Sequence, residues 1–199
     1  MPFERRDIDL GRKPDWFLSL TPTGKTPLML VGETPIFESS VICEYLDEVH
    51  EPRLHPVAAL DRAEHRSWME FASTVLVTIA ALYSAAIGEA LAERARALRN
   101  LLERVEQALG DGPYFAGAMF SMVDAAFAPA LRYFEVIEDK GCFGFFQGLP
   151  KLGAWRQRLA ARPSVRQAVA SDYSRQLHVF LLNRGTALSA VLRGDASAP

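Results

Sequence analysis

Cysteine, histidine, net charge and long apolar runs are all scarce in this chain, and each shortage removes a class of function. Only Cys43 and Cys142 are cysteines among the 199 residues. Two such distant thiols form neither a CxxC redox pair nor a disulfide framework, and a reducing cytoplasm is the expected compartment. The four histidines, His50, His55, His65 and His178, stand at no helical or strand ligand spacing, so no metal site is expected. Lys and Arg number 22 against 24 Asp and Glu, a formal charge of −2 that offers no electrostatic ground for a nucleic-acid partner. No apolar run approaches the ~20 residues that cross a bilayer. The first residues, MPFERRD, turn polar at once, unlike a secretory leader. Neither a Gly-rich phosphate loop nor a GxSxG elbow is found.

What the chain does have is a core's worth of hydrophobic residues, 49%, enough for one or two domains. It also has one ordered run of signals between Thr21 and Val49. Thr21-Pro22-Thr23-Gly24 reads as a turn, since proline presets φ and glycine accepts positive φ. Leu28–Val31 and Thr34–Phe37 read as two short strands joined by Gly32-Glu33, a pair suited to a tight hairpin. Glu38-Ser39-Ser40 then opens a helix whose Val41, Ile42, Tyr45, Leu46 and Val49 follow helical spacing. General chemistry reads Ser39 as an ordinary N-cap, Thr26-Pro27 as a turn, and Cys43 as a small buried hydrophobe. Cys142, in GCFGFF, is the other thiol, and nothing nearby in sequence would lower its pKa.

Outside that run, FERRDIDL (3–10) reads as an edge strand, and Lys13–Leu18 as a short helix with proline in its first turn. HEPRLHPVAAL (50–60) reads as a linker. Only helical patterns follow. Asp61 would cap a long helix to about Ala86 with Trp68, Phe71, Val75, Ile79 and Leu82 on one stripe, and Glu89–Leu109 is rich in helix formers. Ser121 and Asp124 stand three apart, as in a capping box that opens a helix to about Ile137. Both are expected to serve folding, not catalysis. Three short helices, Leu149–Leu159, Ser164–Ala170 and Arg175–Leu182, and a loose tail complete the reading.

TPxGKTP, a hairpin and ESSVICEYLDE together resemble the second half of the thioredoxin-like domain of glutathione transferases, nearest to bacterial and omega-like members. KPxWF and the capping box extend the resemblance along almost the whole chain. It implies a truncated α/β thioredoxin-like unit (1–50), a linker (51–60) and an all-α C-terminal domain (61–199). It implies glutathione as co-substrate, with no metal. Lys13 would hold the glycine carboxylate, where a residue-only reading leaves a solvated lysine. Thr26, ahead of a cis Pro27, would offer its backbone to the tripeptide as a short added strand. Glu38 would take the γ-glutamyl ammonium, and Ser39 with the helix start its carboxylate.

By the same resemblance FERRDIDL matches the second strand of that unit. Its first strand and helix, with the catalytic serine, cysteine or tyrosine, are therefore expected upstream of Met1. The implied activity is transfer of glutathione to a small electrophile, or exchange with a thiol substrate, impaired in the chain as given. The alternative is a non-catalytic binding or scaffold member. A homodimer is also implied, with the helix starting near Asp61 and its successor at the interface.

Overall fold

The computed structural model describes residues 3–138 and 143–198. Cys142 lies outside them. The chain divides into two compact units, Met1–Arg53 and Leu54–Pro199.

In the first unit, α1 (Asp15–Leu20) precedes an antiparallel hairpin of β1 (Leu28–Val31) and β2 (Thr34–Phe37), followed by α2 (Ser39–Val49). Gly32 turns the hairpin at φ 60°, a region open to glycine at no steric cost. The register runs from Val31↔Thr34 to Leu28↔Phe37. The strand expected over 3–10 is not formed: among the described residues the sheet has only β1 and β2. An extended segment becomes a strand only where a neighbour takes up its amides and carbonyls. Here the segment is exposed, and its charges pair locally, Arg6 with Glu4 at 2.8 Å and Arg5 with Asp7 at 3.0 Å.

The second unit is all helical: α3 (Ala59–Tyr83), α4 (Gly88–Ala108), α5 (Met122–Arg132), α6 (Phe134–Ile137), α7 (Pro150–Ala161), α8 (Pro163–Gln167), α9 (Tyr173–Asn183) and α10 (Ala187–Arg193). Ala58, not Asp61, occupies the cap position of α3. Its buried stripe is Met69, Ala72, Val75, Ile79 and Leu82. Trp68 and Phe71, expected on that stripe, sit one step round the helix as a half-buried aromatic pair with ring centroids 5.2 Å apart, Trp68 also facing Phe115 at 5.1 Å. Rings this large fit the flank of the core, where part of the edge stays solvated. The helix expected to run to Ile137 breaks at Tyr133, and α10 was not foreseen.

At the centre, Ser121 and Asp124 form the capping box of α5: the Ser121 amide donates to Asp124 Oδ2 at 2.8 Å and its hydroxyl at 2.6 Å. Asp124 is fully buried. Its other oxygen, Oδ1, accepts from the Phe115 amide at 2.9 Å and from Trp155 Nε1 at 2.6 Å. One carboxylate thus ties the loop before α5, the start of α5 and α7 together. A second carboxylate acts between helices in the same way. Glu106 of α4 accepts from the amides of Lys151 (3.1 Å) and Leu152 (2.6 Å), the open start of α7 behind Pro150.

The fold also pairs two histidines that sequence spacing kept apart. His55 and His65 are buried with ring centroids 5.8 Å apart, and no group of three potential metal ligands occurs among the described residues. Burial, then the neighbouring His55, holds the His65 pKa below its ordinary 6.5, against the opposing pull of Glu64, Asp124 and Asp61. The unfolded chain therefore binds the proton first as pH falls. The stability tied to a neutral His65 is complete above about 6.5 and is lost as pH drops from there through the folded value. The thermal midpoint should fall between pH 7.5 and 5.5, and less steeply in His65→Gln. Equal slopes in both proteins by calorimetry would remove His65 as the source.

Candidate functional site

Of the site residues expected from the sequence, Thr26, Glu38 and Ser39 flank the open end of the hairpin along the chain, and Lys13 stands just ahead of α1. Thr26 and Pro27 immediately precede β1, and Glu38 and Ser39 immediately follow β2, whose register ends at Leu28↔Phe37. Thr26–Pro27 is cis, as is Glu51–Pro52, which the sequence did not announce. Thr26 is exposed, and among the described residues its amide and carbonyl have no hydrogen-bond partner. Those two groups are free to pair with an extended backbone laid beside them.

The start of α2 is the most unusual piece of backbone in the unit. Glu38 lies at φ 69°, the only positive φ among the described non-glycine residues. A β-carbon there is crowded, and such conformations persist where surrounding structure enforces them, often at functional positions. Glu38 occupies the cap position and Ser39 is the first helical residue, one place on from the N-cap role read for it. The correction has a simple cause. In Glu-Ser-Ser the serine is the better capping type, but the enforced turn at Glu38 moves the boundary back by one. No side chain caps α2, while the side chains of both Glu38 and Ser39 are exposed. The result is a helix start with unpaired amides, a hydroxyl and a carboxylate together: an acceptor for an anion beside an acceptor for a cation.

Lys13 is half-buried just ahead of α1, whose cap is Pro14, and makes no hydrogen bond or ion pair with a described residue. Cys43, inside α2, is partly buried. Burial first, and Glu44 second, push its thiol pKa up, which suits a packing residue and not a nucleophile.

In the second unit the structure reveals an aromatic group that the sequence did not single out. Tyr83 stacks on Tyr133 (6.1 Å, 16°) and meets Phe180 edge-on (5.5 Å), with the Arg184 guanidinium over both Tyr83 and Phe180. Burial, then Tyr173 and Tyr83, push the Tyr133 phenol up to about 12, so it remains a proton donor at neutral pH. Tyr83, Tyr133 and Phe180 come from separate stretches of the chain, which is why no local pattern marks them.

A hairpin behind a cis-proline, closed by a helix with an open start and followed by an all-helical unit, defines the glutathione-transferase fold: a small thioredoxin-like domain and a helical domain. Comparison with known proteins agrees. Residues 1–49 match the model of the glutathione S-transferase N-terminal domain, and residues 88–158 that of the C-terminal domain. Glutathione S-transferase U25 of Arabidopsis thaliana is 32% identical over 170 residues, 84% of this chain and 77% of that one. The crystal structure of rice GST1 in complex with glutathione superposes with a TM-score of 0.82 at 30% identity, covering 93% of this chain and 87% of that one. A Tau class glutathione S-transferase from mango gives 0.79 at 26%, covering 90% and 85%. The chain belongs to the glutathione S-transferase family.

The expected kinship with bacterial, omega-like members gives way to plant relatives, one of them titled Tau class. TPxGKTP and the Glu-Ser helix start do not separate those classes. Nor do the matches support the reading of a missing first strand and helix, since the N-terminal family model aligns from residue 1.

Proposed function

We propose that this protein binds glutathione at the open end of the hairpin and transfers it to a small electrophile. The observation that carries the reading is the start of α2, where an exposed hydroxyl, an exposed carboxylate and uncapped amides share a backbone held at φ 69°. Ser39 and the α2 amides take the γ-glutamyl carboxylate, Glu38 the adjacent ammonium, the Thr26 backbone the peptide of the tripeptide, and Lys13 the glycine carboxylate. The domains are proposed as 1–50 and 61–199 with a linker at 51–60.

In the reaction the bound thiol gives up its proton and the sulfur forms a bond to the electrophilic carbon as the leaving group departs. A thiol is a useful nucleophile near neutral pH only when its pKa is lowered. Lys13, Thr26, Glu38 and Ser39 hold the ends and backbone of the tripeptide, and none of them is given the role of activating the sulfur. The place of action is proposed to be the cytoplasm, where glutathione is reduced.

Isothermal calorimetry with glutathione and a conjugation assay with a generic aryl halide test the reading together. Saturable binding with turnover is the expected result. Absence of binding sinks it, and binding without turnover favours a non-catalytic member. A homodimer through α3 and α4 is proposed as well, supported by the exposed Leu60 and Val77 on α3. Light scattering should give twice the 22.1 kDa chain mass; a monomer at micromolar concentration counts against it.

A further inference from the structure

His55 and His65 form a buried pair of imidazoles at the head of the second unit, and neither is given a part in the proposed glutathione chemistry. His55 is the one buried residue of the segment 51–60, and His65 meets it from the second turn of α3, ring centroids 5.8 Å apart. Next to His55, the Leu54 carbonyl accepts the Met122 amide, the first of α5, at 3.3 Å. Two adjacent residues thus fasten the segment to the helical unit, one by its ring on α3 and one by its carbonyl on α5.

The fastening suits a neutral ring only. The His65 Nδ1 is buried with no hydrogen-bond partner among the described residues. In the imidazolium both ring nitrogens donate, so Nδ1 then needs an acceptor where none stands. The charged groups whose fields reach His65 are His55 on the segment, Asp124 at the start of α5, and Asp61 and Glu64 on α3 itself. Asp124 is closed to a new donor, since each of its oxygens already accepts two hydrogen bonds. Asp61 and Glu64 are exposed, and Asp61, four residues back, shares a helix face with His65. To reach the Asp61 carboxylate the charged ring must turn outward, away from the His55 ring. The lowered His65 pKa, due first to burial and then to His55, agrees with a seat that resists the charge.

We propose that the His55–His65 pair is a pH-operated latch: proton uptake by His65 turns its ring out to Asp61 and frees Leu54–Ala58 from α3 and α5. The helical core keeps its packing, so acid lengthens the free chain between the two units without unfolding the second. The latch does not depend on the proposed glutathione site.

The test follows the full chain by nuclear magnetic resonance between pH 7.5 and 5.5. It reads the His65 imidazole titration and amide exchange, the latter corrected for its intrinsic pH dependence. The outward ring binds its proton with an ordinary pKa of about 6.5, so opening at the Met122 amide should rise about threefold or more by pH 5.5. The midpoint of that rise should coincide with the His65 titration, while the amides of Leu98 and Leu102 on the buried face of α4 stay protected. His65→Gln should make Met122 protection independent of pH. Asp61→Asn should move both midpoints to lower pH together, because the carboxylate that receives the imidazolium is gone. If His65→Gln loosens the segment at every pH, the coincident midpoints and the Asp61→Asn shift still decide. Constant Met122 protection while His65 titrates overturns the proposal. Loss of Leu98 and Leu102 protection in the same step overturns it too, since the transition would then be global.

Discussion

Asp124→Ala should cost the protein about 4 kcal/mol or more, the largest loss expected from any single truncation here. The carboxylate is fully buried and accepts four hydrogen bonds, two on each oxygen. Removing it leaves the Phe115 amide, the Trp155 indole and the Ser121 amide as buried donors with no acceptor. Each orphaned donor costs about 1–3 kcal/mol, and the Ser121 hydroxyl alone can rotate to a new partner. Asp124→Asn should cost less, about 2–3 kcal/mol. Its amide can keep one oxygen on the Phe115 and Trp155 side, but its NH2 then faces the Ser121 amide, donor against donor. Trp155→Phe, which removes a single donor, should cost only about 1–2 kcal/mol. Against a total of about 5–15 kcal/mol, the alanine variant is marginal, and its thermal midpoint should drop by roughly 10 °C. Urea unfolding of the three variants gives the order. A loss below about 1 kcal/mol for Asp124→Ala would show that the network is replaced by water at no cost.

That network also shows what a sequence can carry and what it cannot. The Ser121–Asp124 box is local, three residues apart, and its two residue types announce it. The Phe115 and Trp155 donors come from 9 and 31 residues away, and only the packing of α7 on α5 brings them in. The hairpin was legible because Gly32 sits where φ must be positive, and α2 because its apolar spacing follows the helix period. The positive φ of Glu38 was not legible, since glutamate has no preference for that region and tertiary structure imposes it. Residues 3–10 alternate as a strand would, yet pairing is a property of two segments, and alternation reports only one. His55 and His65 escaped notice for the same reason: one lies ahead of α3 and the other within it, and only the fold brings their rings together. Residue types named the candidate glutathione site, because its proposed chemistry depends on what Lys13, Thr26, Glu38 and Ser39 are.

At the proposed glutathione site, Ser39→Ala should weaken binding by about ten- to a hundredfold, while Ser40→Ala should change it little. Ser39 is the first residue of α2 and exposed, beside amides that no side chain caps. In the proposed complex its hydroxyl donates to the γ-glutamyl carboxylate beside those amides and the helix dipole, an interaction between a neutral donor and a charge worth about 1.5–3 kcal/mol. Ser40 is half-buried and lies one helical step of about 100° further round, off the face that Ser39 occupies. Glu38→Gln separates the two ends of the γ-glutamyl group. It removes the charge that meets the ammonium and keeps the side chain's size, so its loss should be seen with glutathione and vanish with an analogue lacking the amino group. The serine pair is the sharper test because both substitutions delete the same atom at neighbouring positions of one helix. Stability effects at a helix start are therefore nearly matched, and the difference in affinity reports direction alone. Equal losses by calorimetry would mean that the carboxylate is held by the α2 backbone and not by Ser39. Equal and negligible losses, with glutathione still bound, would move the γ-glutamyl end off this helix altogether.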